Sequence, residues 1–144
     1  MEKTQTYQNH VRWYPLVHFI IVPLLFLNLF WQIAMLWQTP SWDRAEGLLL
    51  AVVLGLIIFA ARTQALTAQD RLIRLEERMR YQRVLTGELA ARACEMPAGR
   101  IIALRFAPDD ELSGLVERTL NGEFNKSKEI KLAVKNWRGD HLRV

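Results

Sequence analysis

The stretch PLVHFIIVPLLFLNLFWQIAMLW, running from Pro15 to Trp37, contains no Asp, Glu, Lys or Arg. At a rise of ~1.5 Å per residue it is long enough for a hydrocarbon core of ~30 Å, which reads as a spanning helix. Trp13 and Tyr14 precede it and Trp37 and Trp42 mark its far end, where amphipathic rings favour the headgroup level. Pro23 removes one backbone donor inside the segment, so a local kink is expected. A cleaved signal peptide competes with this reading, because Lys3 and Arg12 supply a basic lead. The apolar run is too long for a signal core, however, and QTPSW follows it in place of a small-x-small site, so it should stay attached.

Working outward, AEGLLLAVVLGLIIFAA from Ala45 to Ala61 is a second apolar run, closed by Arg62. A buried helix of a soluble protein is the alternative for a run this short. The short turn QTPSWDR joins it to the first run and favours a transmembrane hairpin. Orientation follows from the basic residues at the ends: Lys3 and Arg12 before the first run, only Arg44 in the turn, and Arg62, Arg71, Arg74, Arg78 and Arg80 after the second. Both termini should therefore face the cytoplasm.

The remainder of the chain is charged. Across 144 residues, 24% are charged and the formal net charge is +4, while a mean hydropathy of +0.01 averages an apolar first third with a polar tail. Cys94 alone cannot form an intrachain disulfide and reads as a small packing residue. The expected architecture is an all-α membrane protein: a cytoplasmic segment at 1–14, spans at 15–37 and 45–62 about an external turn at 38–44, a helical stalk at 63–85 and a small helical domain at 86–144.

Within the first span His18, Asn28 and Gln32 fall within about 80° on a helix wheel. Such a stripe serves interhelical hydrogen bonds or an intramembrane ligand site, and the former is favoured. Gly47, Ala51 and Gly55 recur every four residues in the second span and make a face that another backbone can approach, either the first span or a second copy. No proline interrupts the chain from Ala45 to Leu85, so the second span should continue as the stalk. There Ala68, Leu72, Leu75 and Met79 have the a/d rhythm of helix packing, with the chain's own tail favoured over a dimeric coiled coil as partner. Arg71, Arg74 and Arg78 share another face, suited to anionic headgroups or to local ion pairs with Glu76 and Glu77. Tied near a membrane and without a recognition module, they do not point to nucleic acid.

In the tail, Leu112, Leu115, Val116 and Leu120 predict one amphipathic helix, and Ile130, Ala133, Val134 and Trp137 another. Asp109, Asp110 and Glu111 after Pro108 suit a helix start. RIIALRF, Arg100 to Phe106, is ambiguous between helix and strand and is assigned to helix. Arg105 in this apolar run needs an acidic partner, with Asp109 or Asp110 the local candidates. Lys135, Asp140, His141 and Arg143 have no spacing that defines a catalytic or metal site.

Three sets of residues carry a resemblance: Asn9, His10 and Arg12 before the first span; LRFAPDDEL from Leu104 to Leu112; and the terminal K-x-W-x-x-D-x-x-R of Lys135, Trp137, Asp140 and Arg143. With these the chain resembles a family of small bacterial two-span membrane proteins of unknown function. The likeness implies an inner-membrane location and the two-span plan, and it transfers no activity. The expected role is a non-catalytic membrane-tethered interaction or scaffold module, with the bilayer and a protein partner or self-association through stalk and tail as contacts. An oligomeric channel or transport accessory using His18, Asn28 and Gln32 is the alternative, and a membrane-bound enzyme using Arg105 ranks third. No cofactor is expected.

Overall fold

A computed structural model describes residues 5–9 and 13–140. His10, Arg12, His141 and Arg143 lie outside these described residues. Helix is the only regular structure among the described residues. A π-helical turn, Leu16–Ile21, leads into α1, Val22–Gln38; then follow α2, Trp42–Val84, α3, Gly87–Cys94, α4, Ala98–Leu104, α5, Asp109–Leu120, and α6, Ser127–Ala133. Two of the helices, Leu16–Gln38 and Trp42–Val84, are long and apolar enough to cross a membrane.

The π turn is the local answer to Pro23. Proline lacks the N–H that would bond the carbonyl of Phe19, and its ring crowds that carbonyl. The backbone widens ahead of it, with the Val22 N–H reaching back to the Val17 carbonyl, as π bulges do. Pro40 follows the last turn of α1, and a residue before proline is disfavoured in helix. Ser41 then starts α2 by accepting the Arg44 N–H at 3.3 Å.

The described residues form two compact units, one of residues 13–66 and one of residues 5–9 with 67–140. The division falls inside α2. The expected boundary lay at residue 86, whereas 67–85 group with the tail unit and add Tyr81 and Leu85 to its core. Ile73, Tyr81 and Leu85 are buried there together with Ile101, Leu104, Phe106, Leu112, Val116 and Ile130.

The reason is a choice between two faces of one helix. The Ala68, Leu72, Leu75, Met79 stripe does not pack on the tail as expected; Leu72, Leu75 and Met79 remain more than half exposed. The face built on Ile73, Glu77, Arg80 and Tyr81 is buried instead. Tyr81 supplies more apolar area than any residue of the predicted stripe, and Glu77 and Arg80 are satisfied by charges from the tail.

Arg100 to Leu104 is helical, within α4. α5 starts after Pro108 with Asp109, Asp110 and Glu111 in its first turn and buries Leu112, Leu115 and Val116. Gly122 ends it with φ of 80°, a conformation cheap only for glycine, while the Glu123 N–H closes on the Arg118 carbonyl at 3.1 Å. The helix predicted through Trp137 is shorter: α6 stops at Ala133 and Val134 is extended. Beyond it the Glu111 carboxylate accepts the backbone N–H groups of Lys135 and Asn136, each at 2.9 Å, which replaces the next helical bonds.

Candidate functional site

In the apolar unit, every residue of the predicted polar stripe is partly buried, but the three do not converge on one point. His18 lies within the π turn, where the angular step per residue is smaller than the 100° assumed for a uniform α-helix, so the register to Asn28 and Gln32 changes. The His18 Nδ1 lies 3.0 Å from the Tyr14 carbonyl, and the ring lines an apolar cavity of about 490 Å³ together with Leu25, Leu29, Ala51, Gly55 and Arg62. Gln32 sits elsewhere, against Gly47: a Cβ on that glycine would be 3.0 Å from Gln32 Oε1. Gly47 and Ala51, the latter 5% exposed, thus form the close face towards the first apolar helix, whereas Gly55 borders the cavity and meets nothing within 4 Å.

In the tail unit, the two sequence motifs come together. Trp137 stacks on Phe106 with ring centroids 4.6 Å apart, and the Arg138 N–H donates to the Phe106 carbonyl at 2.8 Å. Arg105, 6% exposed, lies over the Phe106 ring at 4.2 Å and pairs through Nε with Asp140 Oδ2 at 2.9 Å. The expected partners were Asp109 and Asp110. They stand at the start of α5, and Asp109 accepts instead from Arg80 Nε at 2.7 Å, while Asp110 is exposed. Ion-pair choice is set by the packing of distant segments, here α2 against the α4–α5 junction.

Arg80 links these segments. Its Nη2 donates to the Ala107 carbonyl at 2.7 Å and its Nη1 to Glu77 Oε2 at 3.1 Å. Glu77, 5% exposed, also accepts from Arg138 Nη1 at 3.3 Å. Burial pushes the Glu77 carboxyl above its usual range, opposed by the charges of Arg80 and Arg138. Beside it lies a cavity of about 240 Å³ bordered by Ile73, Glu76, Glu77, Arg105, Arg138 and Asp140. The chain start joins the same region: Gln5 Oε1 accepts the Asp140 N–H at 2.7 Å, and Tyr7 meets Trp137 edge-on at 6.4 Å. Lys135 contributes its backbone N–H, to Glu111, as described above.

The arginine face is divided. Arg78 donates from Nε and Nη2 to the Cys94 carbonyl, at 3.2 and 2.9 Å, so it holds α3 rather than standing free. Arg74 is partly buried, and of the three only Arg71 is exposed. Glu77 is likewise not their ion-pair partner. Glu77, Arg80 and Arg138 were missed as a cluster, and the available signal was that Glu77 and Arg80 share a helical face with Ile73 and Tyr81, whose bulk marks it as buried. Among the described residues no group of three or more His, Cys, Asp or Glu is placed to hold a metal ion.

These features define an all-helical protein that joins two strongly apolar helices to a tail unit clamped by a buried charge network. The chain belongs to the family described as Family of unknown function (DUF6526), whose sequence model matches residues 1–144. The resemblance to a family of unknown function is thereby borne out over the whole chain. No curated protein matches the chain, and no solved structure does.

Proposed function

We propose that this is a two-span integral membrane protein of the bacterial inner membrane, with both termini cytoplasmic, whose tail is a non-catalytic interaction or scaffold module. The observation that carries the reading is the exposure of Phe19, Leu27, Phe30, Trp31, Leu49 and Phe59, each between 62% and 71% exposed. A continuous apolar surface of this kind is incompatible with water and matched by lipid. Trp13, Trp37 and Trp42, at 59%, 87% and 91% exposure, suit the two headgroup levels. The tail differs: its buried charges, Glu77, Arg80 and Arg105, are paired within the unit, so the network acts as a clamp that fixes a surface. An arrangement of this kind supports docking of a partner on a rigid helical unit.

The channel reading gains nothing specific, since Asn28 and Gln32 do not border the cavity that His18 lines. Topology is tested with single cysteines in the full chain in a Cys94→Ala background. Ser41→Cys should react with an impermeant maleimide in intact cells, and Lys128→Cys only after permeabilisation. The reverse pattern would refute the cytoplasmic placement of the termini, and release of the protein by alkaline carbonate would refute the membrane reading. The docking role is tested by recovering partners from mild detergent with the parent and with Trp137→Ala. A partner retained equally by both would count against the tail.

A further inference from the structure

The tail-unit part of α2 has two opposed faces. Ile73, Glu77 and Tyr81 are buried, whereas Leu72, Leu75 and Met79 are 56%, 56% and 51% exposed. At the helical step the two sets are centred roughly 165° apart, so covering the exposed set disturbs nothing beneath the tail. With Ala68 the exposed set is spaced four, three and four, which places Leu72 and Met79 at a, and Ala68 and Leu75 at d, of a heptad.

That register makes a definite statement about charge. Arg71 falls at g and Glu76 at e. In a parallel pair each g faces the following e of the other helix, so Arg71 meets Glu76 of the second copy on both sides of the seam. An antiparallel pair sets g against g and e against e, so no register brings Arg71 to Glu76; depending on register it faces Arg71 with Arg78 or Glu76 with itself. Arg71 and Glu76 are both exposed, and neither has an ion pair or hydrogen bond with another described side chain. The remaining parallel pairing, Arg78 with Arg83, is relieved because Arg78 is turned to the Cys94 carbonyl.

We infer that this stripe is the seam of a parallel homodimer, its occupant being a second copy of the chain. The inference rests on the membrane reading, because two copies inserted with one orientation present α2 to each other in parallel. Charge and anchoring therefore select the same arrangement.

The test uses the full chain, with Cys94→Ala, in the membranes of the expressing cell. Leu72→Cys, Leu75→Cys and Met79→Cys should form disulfide-linked dimers on mild oxidation, while Thr67→Cys and Asp70→Cys, on other faces, should not. Arg71→Glu or Glu76→Arg alone should lower the yield from Leu75→Cys, and the two together should restore it. Equal crosslinking at all positions, or a charge swap that restores nothing, would overturn the proposal. So would protection of Leu75→Cys from maleimide without crosslinking, which would place lipid or another protein on the stripe. A chain found in the soluble fraction would refute the membrane reading instead, and the 72/75/79 pattern would still decide the seam.

Discussion

Replacing Arg80 by methionine removes the centre of the buried charge network while keeping most of its apolar stem. In the parent, Arg80 is 4% exposed and serves Glu77, Asp109 and the Ala107 carbonyl. Its loss leaves Glu77 buried with only Arg138, whose own side chain is 52% exposed, and leaves the Ala107 carbonyl without that donor. Breaking one partner out of a buried pair costs about 3–5 kcal/mol. At a tenfold change per ~1.4 kcal/mol, amide exchange in α4 and α5 should accelerate by roughly two to three and a half orders of magnitude. Glu77→Gln is the informative counterpart. Glutamine leaves no buried charge unpaired, and Arg80 keeps Asp109 and Ala107, so the cost should be about 1 kcal/mol. The double variant should be less damaged than Arg80→Met, since no buried carboxylate is left behind. The sign with pH is also set: a carboxyl raised in the folded state binds its proton there first, so its contribution falls as pH rises from the unfolded value through the raised folded one. Hydrogen exchange of the full chain in detergent, read by mass spectrometry, measures all of this. Equal exchange in Arg80→Met and parent, or Glu77→Gln as costly as Arg80→Met, would refute the clamp.

Tyr81 is fully buried with an unpartnered hydroxyl, so Tyr81→Phe should raise tail stability by about 1 kcal/mol; slower exchange in α4 and α5 checks it, and a large loss would mean the hydroxyl is satisfied. Glu111 behaves oppositely to Glu77. Slight burial alone would raise it, but bonds from Lys135 and Asn136 hold it below the usual range, so its stabilisation is present above the unfolded value and lost as pH falls through the folded one. Glu111→Gln should flatten that acid dependence and loosen the 134–137 segment, seen as faster exchange at Lys135 and Asn136.

Much of the plan was legible in one dimension. The run from Pro15 to Trp37, without charge, and that from Ala45 to Ala61, with only Glu46 near its start, mark two long apolar helices because burial of charge in lipid or core is costly wherever the chain goes. Pro108 with its following acids marks the start of α5 for local reasons, as Pro40 marks the end of α1. The proline signal at Pro23 located an irregularity but not its form, since a kink and a π turn both answer the missing donor.

Other features depended on which surfaces meet. The a/d spacing of Ala68, Leu72, Leu75 and Met79 is real periodicity, yet the tail buried the Ile73 and Tyr81 face, because two faces of one helix compete and the fit of the tail decides between them. Arg105 needed an acid, and sequence distance named Asp109; the folded tail supplied Asp140, thirty-five positions away. The helix through Trp137 ended early because Glu111, from another helix, captured its next amides. By itself, then, the sequence determined where helices arise and which two are strongly apolar, for these follow from local backbone chemistry and transfer free energy. Only the tertiary structure decided the ion pairs and the buried face of α2, for these depend on partners that the chain brings together by folding.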